Sequence, residues 1–376
     1  MRIAHIGKFK KNSANGVNQC IYYMAINQVK LGHKVYVYTF DNETDRIRKK
    51  NVDGVNVVFF PKHRMKGFLL PKEFINYVKR NEDGIDVYHL HSVFLPENIM
   101  ISKFIKQPFI ITPHGGYSPR SIKRSFISYA KKIIFKSLFE KSFLNKAHKI
   151  HALTPNEAKD LIAFGVDDKK IFIAPNGVQL PNIDSITKIK NQKKRFLFIG
   201  RLDMVHKGLD LLLKGFANFI RENNIDSNSV ELIIAGPDNH NHLRILKRLS
   251  GSLKIDKYVT FMGKVYGIEK EKLIQSADFF VHTSRWEGMP ISLLEALSYG
   301  KPLLISEQTN IGEYVKSYEA GVVVELDEIS IAKGFNSILV LNNEKDLSRN
   351  ALLLAKEQFS WLQNTQIITE NYNISI

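Results

Sequence analysis

Short apolar strands alternate with amphipathic segments of helical length from the first residue onward, and beyond residue 194 the alternation starts again. Met1-Arg2-Ile3-Ala4-His5-Ile6 stops at Gly7. After the Asn15-Gly16 turn, a helical period runs from about Val17 to Leu31. Gly32 closes that helix, and Lys34 to Thr39 reads as the next strand. Further strands are expected at Val55 to Phe60, Asp86 to His89, Phe109 to Thr112 and Lys149 to Leu153. Strands separated by helices require a parallel sheet covered on both faces. Asn182 to Lys194 is polar, lysine-rich and turn-like, which suits a linker. A second set follows: strand Phe196 to Ile199, a helix from Gly208, strands Glu231 to Ala235, Val259 to Met262 and Phe279 to Thr283, a helix from Pro290, and strand Pro302 to Ser306. The tail from Asp346 to about Tyr372 reads as helical and amphipathic and carries Trp361. The chain therefore divides into two α/β domains, 1–185 and 186–359, each large enough to bury its own core. Open parallel sheets joined in this way place their strand C-terminal ends around a central cleft, where ligands of such sheets bind.

Within the second set, strand Phe279 to Thr283 leads to Glu287-Gly288-Met289-Pro290-Ile291-Ser292-Leu293-Leu294-Glu295. Gly288 permits close backbone approach, and Pro290 suits the first turn of a helix. The free N–H groups and positive dipole end of that helix can hold an anion such as a diphosphate. Glu287 lies in the loop and Glu295 about two turns into the helix, where carboxylates can accept hydrogen bonds from sugar and ribose hydroxyls. Taken alone, the spacing fits a plain helix start with an unrelated solvent-facing Glu295 equally well. Earlier in the chain, Phe196-Leu197-Phe198-Ile199-Gly200-Arg201 runs through Lys207-Gly208 into a helix. Two cations at a strand end beside a helix N-terminus make a phosphate clamp, although either one alone would read as ordinary surface basicity.

Gly200-Arg201, Lys207-Gly208 and Glu287-x(7)-Glu295 together resemble the retaining glycosyltransferases of family 4, which have the GT-B fold. The likeness extends in order through Gly32-His33-Lys34-Val35, Asp86-Val87-Tyr88-His89-Leu90-His91, Thr112-Pro113-His114-Gly115, Thr154-Pro155-Asn156-Glu157, Pro175-Asn176-Gly177-Val178 and Phe359-Ser360-Trp361. It implies two doubly wound, Rossmann-like domains facing a central cleft: an acceptor-binding domain, then a donor-binding one. The closing helix, from about 360 to 376, would return to the first domain. It also implies that Arg201 and Lys207 hold the donor diphosphate, that Glu295 binds the ribose hydroxyls, and that Glu287 contacts the transferred sugar. Backbone N–H groups in the stretch from Gly288 through Met289 and Pro290 to Ile291 would line the sugar and phosphate pocket. His114 would reach the donor sugar, Gly16 would approach the phosphates, and Val265 would lie beside the base. The family often has paired glycines in the first loop, where this chain has only Asn15-Gly16.

The activity expected from this resemblance is transfer of a hexose-type sugar, with retention, from a nucleotide sugar to a cell-surface, capsular or lipid-linked glycan. UDP is the nucleotide expected. No strict D-x-D and no Cys/His metal constellation is present, so no metal and no other cofactor is expected. Two other readings stay open here: a non-catalytic sugar-binding or regulatory protein, and another GT-B enzyme such as a nucleotide-sugar epimerase. His5, His89, His91 and His151 fall near strand ends and read as structural.

Charge bears on partners. The net charge is +17, of which residues 1–185 carry +15 (30 Lys and Arg against 15 Asp and Glu). From Ser118 to Lys149, nine cations accompany one acid, Glu140, with aromatic and aliphatic residues interleaved. Such a stretch can lie on an anionic bilayer, each cation near it contributing about 1 kcal/mol, or can be a core helix with a solvated lysine face. No nucleic-acid-binding signature accompanies the charge, so nucleic acid is not an expected partner. A single cysteine, Cys20, and the lack of a leader-like or membrane-spanning run imply a cytoplasmic protein, peripheral on the inner face of the plasma membrane if 118–149 meets lipid.

Overall fold

The computed structural model describes the chain apart from residues 14, 43, 63–68, 120–134, 136–138, 182–191, 240, 345 and 374–376. It contains two compact units, Met1–Asn176 with Trp361–Ile376, and Gly177–Ser360. The change of unit falls at 176/177 rather than at 185/186. Val178 forms a parallel bridge with Ser360, and its N–H donates to the Phe359 carbonyl at 2.7 Å, which ties the chain from there onward to the second unit.

Among the described residues, the first unit holds an eight-stranded sheet. Its strands are β1 (Arg2–Ile6), β2 (Lys34–Asp41), β3 (Arg48–Val52), β4 (Val55–Pro61), β5 (Val87–His91), β6 (Phe109–Thr112), β7 (Lys149–Ala152) and β8 (Ile171–Ile173). The order is β3-β4-β2-β1-β5-β6-β7-β8, parallel throughout except for the antiparallel β3–β4 pair. The central strands are buried on both faces, as a sheet covered on both sides demands, and are largely apolar, with His89 and His91 of β5 as exceptions. The helix Gly16–Lys30 starts where the Asn15 side chain accepts from the Val17 N–H, and it buries Cys20, Ile21, Met24, Ala25 and Gln28. Cys20 lies 3.2 Å from Asn176 Oδ1 and is buried.

The second unit holds a six-stranded, fully parallel sheet among the described residues. Its strands are β9 (Lys194–Ile199), β10 (Val230–Ala235), β11 (Val259–Met262), β12 (Phe279–His282), β13 (Leu303–Ser306) and β14 (Gly321–Val324), in the order β11-β10-β9-β12-β13-β14. A core of Phe196, Phe198, Phe216, Phe219, Phe279 and Phe335 packs one face. The strand order reverses between β1 and β5 in the first unit and between β9 and β12 in the second. Such switch points open a crevice at the strand C-terminal ends, and the loops carrying Gly16, His114, Arg201, Lys207 and Glu287 leave one of these strands or a neighbour.

The tail is helical, with one break. Leu347–Gln358 and Trp361–Glu370 are separate helices, broken at Phe359-Ser360. Phe359 is fully buried, and the break is where the chain leaves one unit for the other. Trp361 then stacks on Tyr23 of the Gly16–Lys30 helix, ring centroids 5.9 Å apart. Most of the basic 118–149 stretch, including Lys123, Arg124, Lys131, Lys132 and Lys136, lies outside the described residues. Among the described residues, no helix is long and apolar enough to cross a membrane.

Candidate active site

In the second unit, β9 ends at Ile199 and the chain turns through Arg201 to Lys207 before the helix Leu209–Glu222. Gly208 caps that helix with φ 62°, and a Cβ there would sit 1.9 Å from the Thr283 carbonyl oxygen. Only glycine fits so close a backbone approach. The Thr283 hydroxyl donates to the Gly208 carbonyl at 3.1 Å, locking the end of the first loop onto the end of β12. Lys207 is carried by this lock to Glu287, in the loop after β12.

Glu287 is largely buried and is held by side-chain donors. Its Oε1 accepts from Lys207 Nζ at 2.5 Å, Ser284 Oγ at 2.6 Å and His282 Nε2 at 3.2 Å. Burial alone would push the Glu287 carboxyl up, but the Lys207 ammonium and the His282 hydrogen bond outweigh it and hold the group well below the usual range. His282 and His206 are pushed down by burial, His206 to about 4, and both are neutral near pH 7. His206 stacks on Trp286 at 4.6 Å and donates from Nε2 to the Trp286 carbonyl at 2.9 Å, stiffening the residue before Glu287. Lysine has three N–H donors, so the ammonium of Lys207 retains capacity beyond Glu287.

Arg201 differs. It is exposed, and its guanidinium makes no hydrogen bond or ion pair among the described residues. The helix after Glu287 runs Ile291–Ser298, with Pro290 as its cap rather than in its first turn, and no side chain caps its first N–H groups. Met289, Pro290 and Ile291 are buried while Gly288 is partly exposed. Glu295, on the second turn, pairs with Lys270 at 2.5 Å. Val265 is buried, and the Gly263 carbonyl accepts from the Gly236 N–H, which fastens that loop to the end of β10.

Asn310 escaped the sequence reading. Its Nδ2 donates to the Glu287 carbonyl at 2.6 Å and to that of Gly288 at 3.2 Å, holding the loop from the β13 side with φ 64° at Asn310 itself. Asparagine tolerates that backbone conformation, which is the only sequence signal it offered.

In the first unit, Gly16 is exposed at the start of its helix. His114 follows β6 and has φ 54°, in a region that side chains seldom adopt. Its neighbour Gly115 donates its N–H to Glu157 Oε1 at 2.5 Å, while Glu157 Oε2 accepts from the Leu153 N–H at 2.7 Å. Thr154 caps the helix Pro155–Phe164 by accepting from the Glu157 N–H. The cap box thus spends its carboxylate on neighbouring loops rather than on its own helix. Burial pushes the Glu157 carboxyl up to about 7, the two backbone N–H donors opposing the rise. The histidines read as structural are not independent of His114: His91 Nδ1 lies 3.1 Å from His114 Nε2.

These loops carry the signatures of known proteins. The profile of "Glycosyltransferase Family 4" matches residues 14–181, and that of "Glycosyl transferases group 1" matches residues 181–352. One relative is the UDP-Gal:alpha-D-GlcNAc-diphosphoundecaprenol alpha-1,3-galactosyltransferase of Escherichia coli, 27% identical over 72% of this chain and 70% of the relative. Among solved structures, sucrose-phosphate synthase from Thermosynechococcus elongatus superposes with a TM-score of 0.78 at 18% identity, over 99% of this chain and 98% of that one. Anabaena HepE, solved with UDP and glucose, gives 0.74 at 16% identity, over 98% of both chains. With two matched profiles running end to end over 14–352, on two parallel-sheet α/β units, the chain belongs to glycosyltransferase family 4 and is a GT-B glycosyltransferase.

Proposed function

We propose that the chain is a retaining, metal-independent hexosyltransferase that uses a nucleotide sugar, with UDP as the nucleotide, and passes the sugar to a lipid-linked or cell-surface glycan. The observation that carries the reading is the set of donors at the β9/β12 switch point: exposed Arg201, Lys207 with spare N–H groups, and the uncapped N-terminus of Ile291–Ser298. Negative charge builds on the diphosphate as the glycosidic bond breaks. Fixed donors aimed at that charge are usually the largest catalytic contribution, so a metal ion is not needed to supply it. Glu295 takes the ribose hydroxyls, and Glu287, kept ionised by Lys207, takes hydroxyls of the transferred sugar. In the family mechanism the departing phosphate accepts the acceptor's proton on the same face, which gives retention without a covalent nucleophile.

The Escherichia coli relative is named for a UDP-Gal donor and a diphosphoundecaprenol-linked acceptor, and this supports both the base and the acceptor class. Thermal unfolding with UDP, GDP and ADP sugars tests the donor. A ligand that binds only the folded chain raises the unfolding temperature, and at a fixed concentration a tighter ligand raises it further. Stabilisation by GDP or ADP sugars but not by UDP sugars would move the reading to another base. Peripheral binding to anionic membrane through 118–149 belongs to the same proposal, supported by the concentration of positive charge in residues 1–185.

A further inference from the structure

Four histidines occupy interior positions of parallel strands, where apolar side chains are the rule: His5 on β1, His89 and His91 on β5, and His151 on β7. The register pairs His5 with His89 and His91 with Thr112. All four histidines are buried. Burial pushes His5 and His151 down to about 4 and His114 to about 3, with His89 and His91 also held well below their ordinary value. Each ring is therefore neutral near pH 7 and carries one N–H.

The hydrogen bonds of this cluster have a fixed direction. His151 Nε2 lies 2.8 Å from the Ala174 carbonyl, which can only accept, so Nε2 bears the proton and Nδ1 does not. Nδ1 must accept from the Thr112 hydroxyl at 2.8 Å. Thr112 has no second proton, so its oxygen accepts from His89 Nε2 at 2.6 Å. His89 Nδ1 then accepts from the Tyr372 hydroxyl at 2.5 Å, and the tyrosine oxygen accepts from Gln28 Nε2 at 3.2 Å. Gln28 Oε1 accepts from His5 Nε2 at 2.7 Å, and His5 Nδ1 from His91 Nε2 at 3.0 Å. Finally His91 Nδ1 accepts from His114 Nε2 at 3.1 Å. The assignment has one solution, and it also decides the orientation of the Gln28 amide. His5, His89 and His91 bring ring nitrogens within 4.8 Å of one another, a spacing that could suit a cation, yet the chain of hydrogen bonds already engages every nitrogen of the three.

We propose that this directed chain, from Ala174 through Tyr372 and Gln28, holds His114 as its Nε2–H tautomer and so makes Nδ1 a hydrogen-bond acceptor for a sugar hydroxyl. The inference rests on the reading that His114 contacts a sugar. Among the described residues, Nδ1 of His114 makes no hydrogen bond. A ring fixed in this state rejects an acceptor-only group such as a phosphate oxygen and welcomes an O–H donor. The chain ends on a peptide carbonyl, which cannot keep a proton. It therefore orients and polarises His114 without conducting protons away. His91, His5, Gln28 and Tyr372 are positioning residues in this arrangement, and the hydroxyl belongs either to the transferred sugar or to the glycan acceptor.

The test is ring-nitrogen NMR on the full chain with labelled histidine, using His114→Ala to assign the His114 signals. An unprotonated Nδ1 and a protonated Nε2 are expected in wild type. Tyr372→Phe removes one link with little change of shape and should give a mixture of His114 tautomers. Thr112→Val cuts the chain elsewhere and serves the same purpose if Tyr372→Phe does not fold. A protonated Nδ1 in wild type, or an unchanged tautomer in a folded link variant, would overturn the directed chain. In transfer assays, His114→Ala should lower kcat roughly a hundredfold or more. Tyr372→Phe should lower it roughly tenfold, the scale of losing an outer partner of a histidine. With the predicted tautomer in place but full turnover in His114→Ala, the sugar contact fails and the chain of hydrogen bonds does not. Titration with UDP-glucose and with UDP separates the two sources of the hydroxyl. Weaker binding of UDP-glucose alone by His114→Ala assigns it to the donor sugar; unchanged binding of both, with lowered turnover, assigns it to the acceptor.

Discussion

Lys207 and Glu287 stand eighty residues apart in sequence and meet at 2.5 Å, each side chain only 10% exposed. Arg201, in the same loop as Lys207, has no such partner among the described residues. The two cations should therefore respond differently to removal. Both Arg201→Ala and Lys207→Ala should lower turnover roughly a hundredfold or more, the scale of a lost electrostatic donor. Only Lys207→Ala should also destabilise the fold, by about 3 kcal/mol, because it strands a buried carboxylate. Chemical denaturation alongside steady-state rates checks both halves. Near-normal rates in both variants would remove the phosphate clamp.

Glu295 supplies a second contrast. Two ribose hydroxyls donating to one carboxylate contribute about 1.5 kcal/mol each, so Glu295→Ala should weaken UDP binding by roughly a hundredfold. Calorimetric titration of wild type with 2′-deoxy-UDP should show part of the same loss. Equal affinities of wild type and Glu295→Ala for UDP would take the ribose contact away from Glu295.

Metal independence predicts that transfer continues in excess EDTA at the untreated rate. Abolition by chelation, with recovery on adding Mg²⁺ or Mn²⁺, would assign the diphosphate charge to a cation instead.

The histidine cluster makes stability depend on acid. His5 has a folded-state value of about 4, below its ordinary 6.5, so it is neutral in both states above pH 6.5 and its contribution is then intact. As the pH falls from 6.5 toward 4, the unfolded chain takes up a proton that the folded chain refuses. The loss reaches about 2 kcal/mol at pH 5. Glu157 acts in the opposite direction, its cost growing as the pH rises from its ordinary 4.5 to about 7. Comparing unfolding free energies at pH 7 and pH 5, His5→Gln should lose about 2 kcal/mol less than wild type. Identical losses in the two proteins would mean that His5 titrates freely.

Vesicle binding tests the basic stretch. Wild type should bind phosphatidylglycerol vesicles at low salt and release them as screening shortens the reach of its charges to about 8 Å. Changing Lys131, Lys132 and Lys136 to Glu should reduce that binding and leave UDP binding unchanged. Indifference of wild type to the vesicles would favour an acceptor free in solution.

The inner strands were legible because a sheet buried on both faces writes itself as short apolar runs, and Phe109–Thr112 and Val259–Met262 came out with the expected bounds. Arg48–Val52 was not legible. Its Arg-Lys-Lys-Asn-Val sequence has no apolar alternation, and antiparallel pairing at the sheet edge makes it a strand. The strands Ile171–Ile173 and Gly321–Val324 were missed: both lie at sheet edges, the first only three residues long and the second opening on a glycine. At the site, Arg201, Lys207, Glu287 and Glu295 could be picked out as candidates from the motifs and the family resemblance they carry, but their pairing could not. That Lys207 meets Glu287 depends on the Gly208–Thr283 contact, and that Glu295 meets Lys270 depends on a contact between side chains 25 residues apart. Asn310 and the histidine chain were hidden for the same reason, since each is a contact between elements distant in sequence.

The first unit is completed by the last residues of the chain. Tyr372 is buried in it and bonded to His89, while residues 1–176 are made long beforehand. At about 5–20 residues per second of synthesis, roughly ten to forty seconds separate residue 176 from residue 372 on the ribosome. Throughout that interval the nascent first unit carries an unfilled helix slot beside Tyr23 and a broken polar row at His89 and Gln28. Its final locking waits for Tyr372, so a ribosome stalled before Trp361 holds a unit whose histidine row lacks one link.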